Sequence, residues 1–125
     1  VAARRKEVRE NIRRDGFIAI DFDEMEKVIG DVSTVINTVP AMVLTEPCIR
    51  RMQPDASIID IASAPGGTDF EAAKKYNIKA KLALGLPGIY TTTSSAKLLK
   101  NAISKYAPLK NEVREGKSWI FQIII

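Results

Sequence analysis

The fold is decided by Ser57-Ile58-Ile59-Asp60-Ile61-Ala62, a short apolar run, together with the turn and helix start that follow it. The β-branched residues of this run predict a buried central strand. After the turn Pro65-Gly66-Gly67, Thr68 and Glu71 have the spacing of a capping box that starts a helix through Tyr76. A buried strand that passes through a tight turn into a capped helix is one unit of a parallel α/β sheet.

The same alternation of apolar runs and helical patterns continues on both sides of this unit. It predicts strands at 1–3, 17–20, 34–39, 57–62 and 80–84, and helices at 5–14, 23–29, 45–52 and 68–76, with Asp23 capping the second helix. A further helix is expected between residue 91 and Tyr106. The sequence therefore predicts an α/β fold, with a mostly parallel sheet and flanking helices, in one domain at 1–108.

Residues 109–125 are a different kind of segment. A charged stretch at 110–117 leads to an apolar run from Trp119 to Ile125 that only Gln122 interrupts. An uncharged run of high β propensity has to be covered by the core, by a partner chain or by self-association. We expect a swapped strand or a strand at the edge of a homo-oligomer in preference to a core strand, and a disordered apolar tail is the remaining alternative.

Composition excludes several classes of function. The chain has 125 residues, of which 46% are hydrophobic and 27% charged, and no apolar run is long enough to span a bilayer. It contains no His, which excludes His-based triads and His-containing metal sites, so we expect no metal. Cys48 is the single cysteine and cannot form an internal disulfide. We therefore expect a protein of the reducing cytoplasm, without a membrane partner.

The positive charge is concentrated at one end of the chain. The net charge is +4, and among the first 14 residues six are basic and two acidic. This end is suited to meet an anion. No aromatic residues are interleaved with these arginines to stack on bases, so we do not expect nucleic-acid binding.

Candidate ligand residues follow the predicted strands, because open α/β sheets bind ligands outside the carboxyl ends of their strands. Arg4 and Arg5 follow the first strand. A basic residue at this place in a dinucleotide-binding fold receives a 2′-phosphate, which favours NADP over NAD if the chain binds a dinucleotide. The alternative is a solvated helix start.

Three other turns follow strands in the same way. Thr38 and Pro40 form a small polar and rigid turn, and Ala62 and Ser63 precede paired glycines that permit close backbone approach. The run 85–88, Gly-Leu-Pro-Gly, is suited to form a narrow wall beside a flat ring. A plain turn explains each of these stretches as well. GxGxxG is absent, so this sequence contains no pyrophosphate cradle.

Three sequence strings, in this order and spacing, resemble the C-terminal half of the proteins of one family, the dipicolinate synthase A subunits. They are Ile36-Asn37-Thr38-Val39-Pro40, then Ile59-Asp60-Ile61-Ala62-Ser63 with Pro65-Gly66-Gly67-Thr68-Asp69-Phe70, then Gly85-Leu86-Pro87-Gly88. The resemblance covers 1–106 and implies an NAD(P)-binding Rossmann domain. It also implies a sporulation oxidoreductase that makes pyridine-2,6-dicarboxylate from a dihydro- or hydroxytetrahydrodipicolinate precursor, beside a flavoprotein-like second subunit.

The resemblance also assigns roles to residues. It places the Gly-rich first strand and helix upstream of Val1, so the Rossmann-like domain lacks its first βα unit here. The adenosine phosphate would meet Arg4 and Arg5, the middle of the cofactor would meet Thr38 and Pro40, and the nicotinamide end would meet Ala62, Ser63, Gly85 and Pro87. The chain departs from the family at Ala64, where a basic residue is usual, at Leu84 and at 91–96. Because Ala64 cannot attract a carboxylate, we expect the substrate or its contacts to differ from those usual in the family, or catalysis to be impaired.

Proton transfer has two candidates, Asp69 and Ser63, because no His is present. For Asp69 the alternative is a favourable charge in the first turn of a helix. Asp60 is predicted to be a buried strand residue whose carboxylate is satisfied by backbone N–H groups. The competing interpretation of the whole chain is a non-catalytic cofactor-binding or assembly fragment of such a protein.

Overall fold

The computed structural model describes residues 1–83 and 119–123, and it centres on one four-stranded sheet. The strands are β1 (Val32–Asn37), β2 (Ser57–Asp60), β3 (Lys79–Leu82) and β4 (Trp119–Ile123). Their order is β3-β2-β1-β4, and each neighbouring pair is parallel. The predicted α/β fold with a parallel sheet is confirmed. The run 85–88 and the helix expected before Tyr106 lie outside the described residues.

Short helices connect the strands. They are α1 (Lys6–Arg14), α2 (Met25–Val28), α3 (Glu46–Arg50) and α4 (Phe70–Lys75), with 3₁₀ turns at Phe22–Glu24 and Ile29–Asp31. Each helix overlaps one predicted from the spacing of apolar residues. None of the helices in the ranges 1–83 and 119–123 is long and apolar enough to cross a membrane.

The core lies on both faces of the sheet, because successive residues of a strand point to opposite faces. On one face Val35 and Ile58 pack in a cluster with Ile49 of α3 and Ala73 of α4. On the other face Ile36 and Ile59 pack with Ile61 and Ala83. Each fully buried aliphatic side chain of this size contributes about 1.5–3 kcal/mol through the loss of water contact.

The register places two polar residues side by side at the carboxyl edge of the sheet. Asn37, the last residue of β1, is the partner of Asp60, the last residue of β2. Both residues are 0% exposed. The turns that leave these two strands therefore start next to each other.

The first two predicted strands are wrong in extent. Only Ala2 and Ile20 form a parallel bridge, and Phe17 and Ile18 are 63% and 61% exposed. The reason is the end of α1: the Phe17 N–H is still bonded to the Ile12 carbonyl at 3.1 Å. The chain reaches the strand direction only after this turn.

Two predicted helix caps are also wrong. Asp21, not Asp23, forms a capping box with Glu24. Asp69, not Thr68, caps α4, and its carboxylate accepts from the Ala72 N–H at 2.9 Å. Thr68 is used elsewhere, because its hydroxyl donates to the Asp60 carboxylate at 2.7 Å.

The apolar end of the chain forms a strand, as its β propensity predicts. β4 (Trp119–Ile123) lies at an edge of the sheet and pairs in parallel with β1 of the same chain, with a register shift between Val32 and Thr34. Exchange of this strand between two copies stays a prediction.

Candidate functional site

A cavity of about 320 Å³ lies between the start of α1 and the turn after β1. It brings together Arg4, Arg5 and Pro40, three of the residues predicted to contact a cofactor. These come from distant parts of the sequence. Within the described ranges, the lining consists of Ala3, Arg4, Arg5, Val8, Phe22, Val39, Pro40 and Ala41.

Two arginines line this cavity. Arg4 and Arg5 are both exposed, and Arg5 is the extended residue that precedes α1. The Arg4 guanidinium lies over the ring of Phe22, 5.5 Å from the ring centroid, a geometry in which a cation is attracted to the π face. The arginines thus offer several N–H donors beside an aromatic surface.

Arg9 holds the backbone that carries these two arginines. Its Nη1 donates to the carbonyl oxygens of Ala3 at 2.7 Å and Arg4 at 2.6 Å. The same nitrogen is 2.6 Å from Oδ2 of Asp21, and the Arg9 side chain is only 16% exposed. Arg9 therefore has a structural role, although the sequence counted it among the charges suited to meet an anion.

The rest of the lining is apolar. Val8, Phe22, Val39 and Ala41 present hydrocarbon or aromatic surface to the cavity. Apolar walls with a few placed polar groups are typical of small-molecule sites. Sequence reasoning missed Phe22, and the signal that could have found it is an aromatic residue two positions after a predicted strand end.

The turn after β1 is fixed by the side chain of Asn37. Its Oδ1 accepts from the Val39 N–H at 3.0 Å, and its Nδ2 donates to the Val39 carbonyl at 3.1 Å. Thr38 lies between these two residues and is half-buried, and it is not among the residues that line the cavity. Val39 and Pro40 follow as lining residues.

The turn after β2 carries the predicted nicotinamide-end residues. Ala62 is buried at 3% exposure, whereas Ser63 is exposed. The Ala64–Pro65 peptide is cis, and the Gly66 N–H donates to the Ser63 carbonyl at 2.9 Å. The structure places these residues next to the turn after β1, along the carboxyl edge of the sheet, but not among the residues that line the cavity.

The carboxylate of Asp60 lies between the two turns. Oδ1 accepts from the Ala62 N–H at 3.0 Å. Oδ2 accepts from Asn37 Nδ2 at 3.0 Å, the Gly67 N–H at 2.9 Å and the Thr68 hydroxyl at 2.7 Å. The prediction of a buried, satisfied Asp60 is confirmed, with side-chain donors in addition to the backbone.

Comparison with known proteins identifies the family. No model of a known protein family matches the chain. Over 102 residues it is 40% identical to the A subunit of dipicolinate synthase from Bacillus subtilis (strain 168), an alignment that covers 82% of this chain and 34% of that protein. The crystal structure of the same Bacillus subtilis polypeptide is similar, with a TM-score of 0.69 and 40% identity, and covers 84% of this chain and 35% of the other. The chain belongs to the family of dipicolinate synthase A subunits.

A second solved structure supports the same family assignment. The A subunit of dipicolinate synthase from Bacillus halodurans is 36% identical with a TM-score of 0.69, over 84% of this chain and 36% of that one. The chain thus spans about a third of the length of these relatives. The resemblance of the sequence to the family is confirmed, and so is the Rossmann-like α/β fold of the matched part.

The two residues predicted to transfer protons are not equivalent in the structure. Asp69 is partly buried and uses its carboxylate to cap α4, which agrees with the alternative of a helix-start charge. Ser63 is exposed at the carboxyl edge of the sheet. Catalytic roles for both stay predictions. Gly85 and Pro87 lie outside the described residues.

Proposed function

We propose that this chain is the cofactor-binding part of an NADP-dependent oxidoreductase that forms pyridine-2,6-dicarboxylate from a dihydro- or tetrahydrodipicolinate precursor. The observation that carries the proposal is the meeting of Arg4 and Arg5 with Pro40 in one cavity. This cavity lies beside the carboxyl end of β1, where open α/β sheets bind their ligands.

The chemistry of the cavity fits the adenosine end of NADP. A guanidinium donates two parallel charge-assisted hydrogen bonds to a phosphate, which an adenosine 2′-phosphate accepts and a 2′-hydroxyl cannot match. Phe22 and Val8 supply apolar surface for the purine. NADP is therefore the proposed cofactor, and NAD would bind more weakly at the same place.

The proposed reaction removes a hydride and a proton from a dihydropyridine ring. When bound, the nicotinamide would supply the hydride acceptor, and the protein would position the two rings. Ser63 is accessible at the sheet edge for hydrogen bonding to the substrate, and Asp69 is the carboxylate proposed for proton transfer. Ala64 carries no charge where the family usually has a basic residue, so the substrate carboxylates would have to be held by other groups.

The biological setting belongs to the same proposal. A second synthase subunit is the proposed partner, because the relatives are each named as one subunit of a synthase. Sporulation is proposed from the resemblance of the sequence to this family, and a cytoplasmic location from the single cysteine. The substrate is a small dicarboxylate, and no nucleic acid takes part.

The test is a paired titration of the chain with NADPH and NADH, followed by cofactor fluorescence. We expect tighter binding of NADPH, and a loss of about 10-fold or more in Arg4→Ala and Arg5→Ala, since a charged hydrogen bond contributes about 1.5–3 kcal/mol. Lys6→Ala is the matched control, because Lys6 adjoins Arg5 and carries the same charge but does not line the cavity. Equal affinity for the two cofactors, or equal losses in all three variants, would contradict the proposal.

A further inference from the structure

Asn37 and Asp60 connect the two turns of the candidate site. They are register partners at the ends of β1 and β2, and both side chains are fully buried. A buried carboxylate and amide are costly to desolvate unless their hydrogen bonds are made. Here each oxygen and nitrogen of the pair has a partner, and apart from the bond between Asn37 and Asp60 themselves these partners lie in the turns.

The Asp60 carboxylate holds both ends of the segment 61–68. It binds the Ala62 N–H directly after β2, and the Gly67 N–H and Thr68 hydroxyl directly before α4. The exposed Ser63 lies between these two attachments. The Asp60 carboxylate therefore fixes both ends of the turn that presents Ser63.

Gly67 brings this segment into contact with the turn that lines the cavity. A Cβ at Gly67 would lie 2.4 Å from the carbonyl oxygens of both Val39 and Ala41, so only glycine fits there. The Gly67 carbonyl accepts from the N–H groups of Val43 at 3.0 Å and Leu44 at 2.9 Å. The two turns pack as one unit.

The carboxylate of Asp60 is fully used in this arrangement. An ionised carboxylate is an acceptor only, and Asp60 accepts from four donors of the protein. It has no surface exposure through which to meet a substrate. Its role must be exerted through the groups that it holds.

We propose that Asn37 and Asp60 are positioning residues, which hold the turn that lines the cavity and the turn that carries Ala62 and Ser63 in one fixed arrangement. This inference rests on the proposed function, in which the first turn meets the adenosine half of the cofactor and the second meets the nicotinamide half. The pair then sets the spacing between the two halves of the site. Weakening one turn will disturb ligand binding at the other.

The test uses three variants of the full chain. Asn37→Ser removes the hydrogen bond to Asp60 and the two hydrogen bonds to the Val39 backbone. Thr68→Val removes the hydroxyl that donates to Asp60 from the other turn. Thr34→Val is the matched control, because it is the same chemical change at a buried position of β1 away from the turns. Each variant is assayed for NADPH affinity and for amide hydrogen exchange at Val39, Ala62 and Ile58.

We expect Asn37→Ser and Thr68→Val to bind NADPH about 10-fold more weakly, and Thr34→Val to bind as the parent does. Val39 and Ala62 should exchange faster in the first two variants, while Ile58 in the centre of β2 stays protected, which separates local loosening from general destabilisation. In Thr68→Val, faster exchange at Val39 would demonstrate the coupling across the two turns.

Unchanged exchange at Val39 and Ala62 in Asn37→Ser would overturn the positioning role. So would NADPH affinities that fall equally in all three variants. Absence of NADPH binding by the parent chain would overturn the proposed function instead, and the exchange of Val39 and Ala62 would still decide the positioning role. The two failures are therefore distinguishable.

Discussion

Asp60 is the residue whose loss should affect this protein most. The sequence places it correctly, because an acidic residue within a β-branched run has to be buried and satisfied. The identity of its partners could not be predicted, since Asn37 and Thr68 reach it only after β1 and β2 have paired in register. Long-range pairing is not contained in a local pattern.

Asp60→Ala should lower the free energy of unfolding by about 3 kcal/mol or more, because it leaves several buried donors without an acceptor. Asp55→Ala is the control, since Asp55 is exposed in the turn before β2, and its change should stay within about 0.5 kcal/mol. Denaturant unfolding of the two variants measures the difference. A loss of less than about 1 kcal/mol in Asp60→Ala would show that its hydrogen bonds contribute little.

The Cys48 thiol makes the free energy of unfolding depend on pH in the alkaline range. Burial raises the pKa of the Cys48 thiol above its ordinary value of 9.0. The thiol's contribution to stability is fully present below that value and is lost as the pH rises through the folded-state pKa, because the unfolded chain releases the proton first. Above pH 9.0 the free energy of unfolding should therefore fall more steeply in the parent chain than in Cys48→Ala. If the free energy of unfolding fell equally steeply with pH in both chains, the raised pKa of Cys48 would be contradicted.

At the scale of elements, helix caps and the first two strands were harder to predict than the central strand. The run that gives β2 was recognisable from its β-branched residues, whereas Thr68 and Asp69 both had cap chemistry in the sequence. Tertiary structure decides between them, because the Thr68 hydroxyl is taken by Asp60 and the Asp69 carboxylate is left to cap α4. The short bridge at Ala2 and Ile20 has a similar origin, since the end of α1 delays the following strand.

Asp69 combines a structural role with a predicted catalytic one, and two substitutions separate them. Asp69→Ala should destabilise the chain by about 1 kcal/mol through loss of the cap, whereas Asp69→Asn should be nearly neutral because asparagine caps equally well. If Asp69 transfers a proton, turnover by the complete enzyme carrying Asp69→Asn should fall while thermal stability is kept. Full activity of Asp69→Asn would show that Asp69 serves only as the cap of α4.

At the scale of the whole molecule, the position of β4 bears on how the sheet is completed. In the part of the chain that the structure describes, β4 lies beside β1 at one end of the order β3-β2-β1-β4. The sequence could not predict this place, because a run of β propensity carries no information about its partner.

Removal of β4 should therefore expose an edge of the central sheet. A chain that ends at residue 117 should lose on the order of 3 kcal/mol, as several backbone hydrogen bonds to β1 are lost, and should associate through the free edge. A chain that ends at residue 123 keeps β4 and serves as the control. Denaturant unfolding and light scattering measure both effects. Identical unfolding of the two chains would show that β4 does not support the sheet.

The central claim is that the cavity lined by Arg4 and Arg5 selects an adenosine that carries a 2′-phosphate. The most direct measurement is a calorimetric titration with adenosine 2′,5′-bisphosphate and with adenosine 5′-monophosphate, which differ only in the 2′-phosphate. We expect the bisphosphate to bind about 10-fold more tightly or better, and Arg4→Ala and Arg5→Ala to remove that preference. Equal binding of the two nucleotides by the parent chain would contradict the assignment of the cavity.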